Sequence, residues 1–222
     1  MPPRTFVIGD IHGCAATLRQ LVEVSLRPVA TDRIYLLGDL IDRGPDSKGV
    51  LDFIFELRER GLSVSSVRGN HEEMFLQACG DNNLDLWTAN GGQAALSSFQ
   101  ADGPGDIPPI YREFLDSLPH YILLDDFVIV HAGLNFDLPN PFDDTSAMLW
   151  TRSHFVDRQR IGGRRLICGH TLVPRSRLEA SLNSSKIMLD NGCALGRQPE
   201  MGSLAALELG SMTVHYQENI DR

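Results

Sequence analysis

Three short apolar runs near the start of the chain, residues 5–8, 33–37 and 62–67, each end in a knot of glycine and polar side chains. The knots read Gly9-Asp10-Ile11-His12-Gly13, Gly38-Asp39-Leu40-Ile41-Asp42-Arg43-Gly44 and Arg68-Gly69-Asn70-His71-Glu72. Between the runs lie two stretches of helical period. Residues 15–26 place Leu18, Leu21, Val22 and Leu26 on one face before Pro28, and residues 47–60 do the same with Val50, Leu51, Ile54, Phe55 and Leu57 before Gly61. Strand, helix and strand at this spacing predict βαβ units in a largely parallel sheet. Ligands in such sheets sit at the carboxyl ends of the strands, so the three knots are expected to converge on one crevice.

From 72 to about 118 the pattern becomes helical and irregular, with Asp102-Gly103-Pro104-Gly105-Asp106 and Pro108-Pro109 marking a surface loop, which predicts a helical insertion. Six later β-type runs, 121–124, 127–130, 165–168, 187–189, 204–207 and 213–216, predict a second, mixed sheet. Two of them end in histidine, Val130-His131-Ala132-Gly133-Leu134 and Cys168-Gly169-His170-Thr171. One domain over residues 1–222 is the expectation for a chain of this length.

The polar residues at these strand ends, Asp10, His12, Asp39, Asn70, His131 and His170, make a mixed oxygen and imidazole set. It suits divalent transition ions such as Mn, Fe, Zn, Ni or Co and needs no thiolate. Asp10 and His12, two apart, point the same way on an extended chain. A formal charge of −9 leaves no excess of cations to neutralise a nucleic-acid duplex. No run approaches the roughly 18 apolar residues of a span, the start has no signal-peptide pattern, and the 4 cysteines form no CxxC pair. Cytoplasmic residence with reduced thiols and no membrane partner is expected.

The ordered set GD-x-HG, GD-xx-DRG, GNHE, HAG and GH, running from Gly9 to His170, resembles the phosphoprotein phosphatase branch of the calcineurin-like metallophosphoesterases. The compact size, together with Trp87-Thr88-Ala89-Asn90-Gly91-Gly92 and Met148-Leu149-Trp150-Thr151-Arg152, is similar to the bacterial and phage serine/threonine phosphatases. The resemblance implies an α/β fold of two sheets sandwiched between helices (αββα). It also implies two divalent ions, manganese first among those named above. Asp10 and His12 would hold one ion and Asn70, His131 and His170 the other, with Asp39 bridging. The activity implied is hydrolysis of phosphoserine and phosphothreonine on proteins, with phosphotyrosine as an extension, by direct attack of a hydroxide shared between the ions. Arg43 and Arg152 would contact phosphate oxygens, Asn90 would help position substrate, and His71, oriented by Asp42, would protonate the leaving oxygen. A phosphoprotein or phosphopeptide is then the partner, and the chain is expected to be a monomer.

Plainer readings exist for several of these residues. Asn70 stands where a helix N-cap would, the cysteines suit inert burial, and Arg158, Arg160, Arg164 and Arg165 suit a solvated loop better than a phosphopeptide dock. Asp190-Asn191-Gly192 stands at a strand end as support for the ligands. The nearest rival function is symmetrical diadenosine tetraphosphate hydrolysis, whose enzymes share the metal core and often the GD-x-HGC opening. Many of those lack an aspartate at the position of Asp42 and carry aspartate at that of Glu72, so both residues here favour phosphomonoesters. A non-catalytic scaffold of the same fold is the rival of another class, and the complete donor set weighs against it.

Overall fold

The computed structural model describes residues 2–80 and 83–221. The chain runs through β1 (Thr5–Ile8), α1 (Ala15–Gln20), β2 (Arg33–Leu36), α2 (Ser47–Glu59) and β3 (Ser63–Ser66). It continues into α3 (Asn70–Cys79), α4 (Leu84–Trp87), α5 (Gln93–Phe99) and α6 (Pro109–Asp116). After these come β4 (Tyr121–Leu123), β5 (Phe127–Val130), α7 (Thr145–Trp150), β6 (Arg165–Cys168), α8 (Arg175–Ser181), β7 (Lys186–Met188), β8 (Ser203–Glu208) and β9 (Thr213–Glu218). Residues 81 and 82 of the expected insertion lie outside the described residues; the rest of that stretch carries α3 to α6. None of the described helices is long and apolar enough to cross a membrane.

Two sheets face each other. The first has the order β3-β2-β1-β8-β9 and the second β4-β5-β6-β7. β1, β2 and β3 are parallel, as are β5, β6 and β7, so both triplets deliver their carboxyl ends to one edge of the sandwich. The expected second sheet keeps four of its six strands. β8 pairs antiparallel with β1, Val7 opposite Leu207, and β9 pairs with β8, so the last two strands complete the first sheet instead. The reason is burial on both faces: Leu204 and Ala206 pack toward the helices over the first sheet, and Ala205 and Leu207 toward the opposite sheet. Only an interior place satisfies such a strand, and β1 offered an open edge.

Alternation along the strands divides the apolar residues among layers. Phe6 and Ile8 face α1, α2 and the insertion, while Val7 joins Ile129, Ile167 and Ile187 between the sheets. Val128, Val130, Leu166 and Cys168 face outward from the second sheet onto Leu134, Phe136, Met148 and Ile161. The result is the expected αββα sandwich. α2 starts on the Asp46 carboxylate, which accepts from Gly49 N at 2.8 Å, and buries Val50, Leu51, Phe53, Ile54 and Leu57. α1 widens into π-type turns over Leu21–Leu26 and ends where Arg27 takes a left-handed φ of 46° just before Pro28. Cys14, at its N-cap, offers no side-chain bond; the Asp221 carboxylate arrives from the far end of the chain and accepts from Ala16 N and Thr17 N, each at 2.9 Å.

Candidate active site

The knots after β1, β2 and β3, the histidine turn after β5 and the one after β6 meet at the shared edge of the two sheets. Close backbone approach makes this meeting possible. A Cβ on Gly169 would lie 1.8 Å from Asp10 Oδ1, and one on Gly69 would lie 2.2 Å from Asp39 Oδ1. Strain gathers in the same loops: His12, Asp39, Asp42, Arg43 and His170 all take φ between 47° and 72°. Non-glycine residues there cost free energy and persist only where the surroundings hold them.

Asp39 stands at the centre. Its Oδ2 lies 3.4 Å from His12 Nε2 and its Oδ1 lies 3.5 Å from His131 Nε2, so its two oxygens face different imidazoles. His12 Nδ1–H donates to Ile41 O at 3.0 Å and His131 Nδ1–H to Leu37 O at 2.8 Å, which fixes both rings and leaves each Nε2 lone pair turned inward. Asn70 Oδ1 sits 2.9 Å from His131 Nε2 and 3.0 Å from His170 Nδ1. His170 N donates to Asp10 Oδ2 at 2.8 Å. All six residues singled out in the sequence as metal ligands are thus brought together. Asp39 belongs to two triads of close donor atoms, one with His131 and His170, the other with His12 and His71. The second triad holds His71 where the sequence reading placed Asp10, which is instead tied to the His170 turn.

These donors fit divalent cations. Asp10 Oδ1 and His170 Nε2 are buried with no hydrogen-bond partner, and a cation is the group that would satisfy them. Burial pushes the His12 imidazole down to about 3 and that of His170 to about 4, so both are neutral, as ligation requires. Among the carboxyls the pattern is mixed. Burial, then the neighbouring Asp190 and Asp39 charges, raises Asp10 well above the usual range, and burial pushes Asp190 up to about 6. Asp39 is held down, against burial, by His131, His71 and His12 around it. Asp190 therefore stands beside Asp10, as its strand-end position suggested, with Gly192 N donating to its Oδ1 at 2.9 Å.

Asp42 and His71 form a buried pair, 2.7 Å from Oδ2 to Nδ1, both fully inaccessible. His71 Nε2 has no partner. Burial opposes the imidazolium, but the Asp39 charge and the Asp42 hydrogen bond outweigh it and leave His71 above its ordinary value. The Asp42 carboxylate also accepts from the Trp87 indole N–H, a contact that nothing in the sequence spacing announced. Arg43 is exposed, its Nη1 donating to His12 Nε2 at 2.7 Å. Arg152 is exposed as well, and its charge helps lower His170, so it stands near the triad of Asp39, His131 and His170. Asn90 is exposed with its amide on Leu86 O at 2.8 Å, one residue before Gly91, whose carbonyl accepts from Arg43 N.

Further side chains act on backbone. The Glu72 carboxylate is fully buried and accepts from Asp39 N, Leu40 N and Gly69 N, each at 2.8 Å, tying the second knot to the third. Asn70 does not cap α3: Gly69 is the N-cap and Glu72 supplies the side-chain bond to it. Lys186 buries its ammonium between Ala132 O at 2.8 Å and Ser153 O at 2.9 Å, joining the His131 turn to the loop of Arg152. A lone lysine just ahead of a predicted β-run was the only sequence signal for that strap. The arginines of the 158–165 stretch are spent on carbonyls, Arg164 Nε on Leu124 O and Arg165 Nε on Ser184 O, each at 2.8 Å.

A two-sheet sandwich with an oxygen and imidazole donor set at its strand ends is the arrangement of a metallophosphoesterase. The sequence matches the calcineurin-like phosphoesterase family over residues 3–176, and the chain belongs to that family. It is 47% identical over 88 residues to a serine/threonine-protein phosphatase 1 of Salmonella typhimurium, a stretch covering 39% of this chain and 38% of that protein. A symmetrical bis(5'-nucleosyl)-tetraphosphatase of Vibrio campbellii is 34% identical over 134 residues, 59% of this chain and 45% of the relative. An asymmetrical bis(5'-nucleosyl)-tetraphosphatase of Geobacillus thermodenitrificans is 27% identical over 93% of this chain and 91% of its own. The chain thus spans less than half of the first and second of these relatives. Among solved structures, a putative diadenosine tetraphosphatase shares the fold with a TM-score of 0.65 and 24% identity, covering 97% of this chain and 93% of that one.

Proposed function

We propose that this metallophosphoesterase hydrolyses phosphomonoesters of serine and threonine on proteins, with phosphotyrosine as an extension. The observation that carries the reading is the Asp42–His71 pair with its free Nε2 beside the donor cluster. A serine or threonine alkoxide is strongly basic and must take up a proton as it leaves. A phosphate leaving group, with a second pKa of roughly 6, departs as an anion without one. An imidazole held by a carboxylate and raised above its ordinary value suits the first task and is idle in the second.

Asp10, His12, Asp39, Asn70, His131 and His170 would hold two divalent ions, manganese being our expectation. When bound, such ions supply an activated water and neutralise phosphoryl oxygens. The chain's own residues do the rest. Arg43 turns its guanidinium from His12 toward the phosphate, Arg152 joins it from beside His170, and both offer forked N–H donors that match phosphate oxygens. Asn90, beside Gly91, lies at the mouth next to Arg43. His71 delivers its proton from Nε2 while Asp42 keeps Nδ1–H.

Dinucleotide tetraphosphate hydrolysis is the second reading, favoured by the near full-length likeness to a tetraphosphatase. Glu72 and Cys14 do not separate the two: both are fully buried and turned away from any substrate. The deciding experiment compares kcat/KM of the manganese-loaded protein on phosphoserine, phosphothreonine and phosphotyrosine peptides and on diadenosine tetraphosphate. Higher values on the peptides are expected. Preference for the dinucleotide would overturn the reading, and no turnover with any divalent ion would favour a scaffold.

A further inference from the structure

Trp87 closes the helical insertion over the strand-end loops. Its ring is fully buried, and its Nε1–H lies 3.0 Å from Asp42 Oδ1 and 2.9 Å from Oδ2. The same carboxylate holds His71 through Oδ2. The terminal torsion of an aspartate is soft and two-fold, so one contact to His71 alone would let the carboxylate plane swing. An indole N–H set between the two oxygens removes that freedom, and a tryptophan can only donate, so the bond has one polarity.

The ring itself is seated with little tolerance. A Cβ on Gly92 would lie 2.5 Å from both Cδ2 and Cε2 of the indole, and Phe75 packs on it with ring centroids 5.2 Å apart. One residue earlier, Gly91 takes a φ of 111° and approaches Arg43, whose Cγ would lie 2.8 Å from a Cβ there. The stretch from Trp87 to Gly92 therefore grips both members of the Asp42-Arg43 pair, the side chain of the first and the backbone of the second.

We propose that Trp87 is a positioning residue for proton delivery: by fixing the Asp42 carboxylate it keeps His71 Nδ1–H on Asp42 and Nε2 aimed at the leaving oxygen. The inference rests on the assignment of His71 as proton donor made above. It also gives the insertion a task in the chemistry, since α4 reaches Asp42 through this side chain.

The test is a leaving-group comparison. Trp87→Phe keeps most of the ring and deletes the N–H. Turnover is measured on a phosphoserine peptide, whose alkoxide needs a proton, and on p-nitrophenyl phosphate, whose delocalised phenolate leaves without one. General acid catalysis contributes roughly 10²–10⁴-fold, and a misaimed acid loses part of that. Trp87→Phe is expected to lower kcat on the peptide about 10- to 100-fold with KM within about 2-fold. The loss on p-nitrophenyl phosphate should be at least about ten times smaller. A packing defect alone would lower both together, and equal losses, or none, would overturn the proposal. His71→Asn is run beside it: if that variant also loses both equally, it is the assignment of His71 that fails. Should Trp87→Phe not fold, Gly92→Ala displaces the indole while keeping its N–H and must reproduce the selective loss on the peptide.

Discussion

Gly169→Ala is a sharp probe of the donor cluster. The residue follows β6, its N–H donates to His131 O at 2.8 Å, and its φ lies outside the left-handed region, so alanine meets no backbone obstacle. The obstacle is Asp10: the new Cβ would stand 1.8 Å from Oδ1, whereas real contacts of this kind stay beyond 3.0 Å. Either Asp10 or the His170 turn must then give way by roughly 1 Å, and the bond from His170 N to Asp10 Oδ2 is strained with it. Overpacking of this kind costs about 1–3 kcal/mol, which for a domain of this size lowers Tm by roughly 2–12 °C. The functional effect should be larger. Displacing groups that orient a metal ligand lowers affinity by about 10- to 100-fold, and a misplacement of about 1 Å costs about 100-fold in rate. Calorimetric titration with manganese should show one of two sites weakened by that factor, with kcat falling alongside. Gly105→Ala, where a Cβ meets open space, serves as the control and should match the wild type. Full affinity at both sites in Gly169→Ala would refute the placement of Asp10 among the ligands.

Two further outcomes are expected. Asp221→Ala removes the side-chain cap of α1 and should cost about 1–3 kcal/mol from the lost cap and charge, read as a lower melting temperature. Asp221→Asn, keeping an acceptor, should cost about 0.3–1 kcal/mol; equal losses in the two would refute the capping account. Metal affinity should rise with pH from about 5 upward. Asp10 and Asp190 have raised pKa values, Asp190 to about 6, so below that range a cation must displace a proton to bind carboxylate. His12 and His170, at about 3 and 4, are already neutral above pH 5 and add no slope near 6.5. Calorimetry in two buffers of different ionisation enthalpy should detect more proton release at pH 5.5 than at pH 8; an affinity independent of pH would contradict the assignment.

What the sequence could convey follows from the range of the interactions involved. Strand and helix positions were legible because alternation and helical period are local, and the strand-end histidines and aspartates because few other reasons put such residues beside glycine. The sheet to which β8 belongs was not legible, since Leu204, Ala205, Ala206 and Leu207 spell only a strand buried on both faces. Asn70 read equally well as a cap, and only the positions of His131 and His170, 61 and 100 residues away, show its oxygen turned to them. Lys186 and Trp87 were missed for the same reason: each acts on a group remote in sequence, and its residue type alone predicts burial or solvent, not a partner.

The crevice also changes the weight of the residues that seemed to choose a substrate. Glu72 and Cys14 sit in motifs that differ between phosphoprotein phosphatases and dinucleotide hydrolases, yet the Glu72 carboxylate is spent on three backbone N–H groups and the Cys14 side chain is sealed beneath the first knot. Neither can touch a leaving group, so variation there reports on how the loops are tied. Asp42 is also fully buried, but it differs in having His71 between it and the crevice. Its carboxylate is held on one side by Trp87 and bonded on the other to an imidazole with a free Nε2, so in the proposed reaction it would act through that imidazole. Removing Asp42 would change how well a basic leaving group is served while leaving the donors around Asp39 in place. On the proposed function, discrimination between an alkoxide and a phosphate leaving group would rest with that pair.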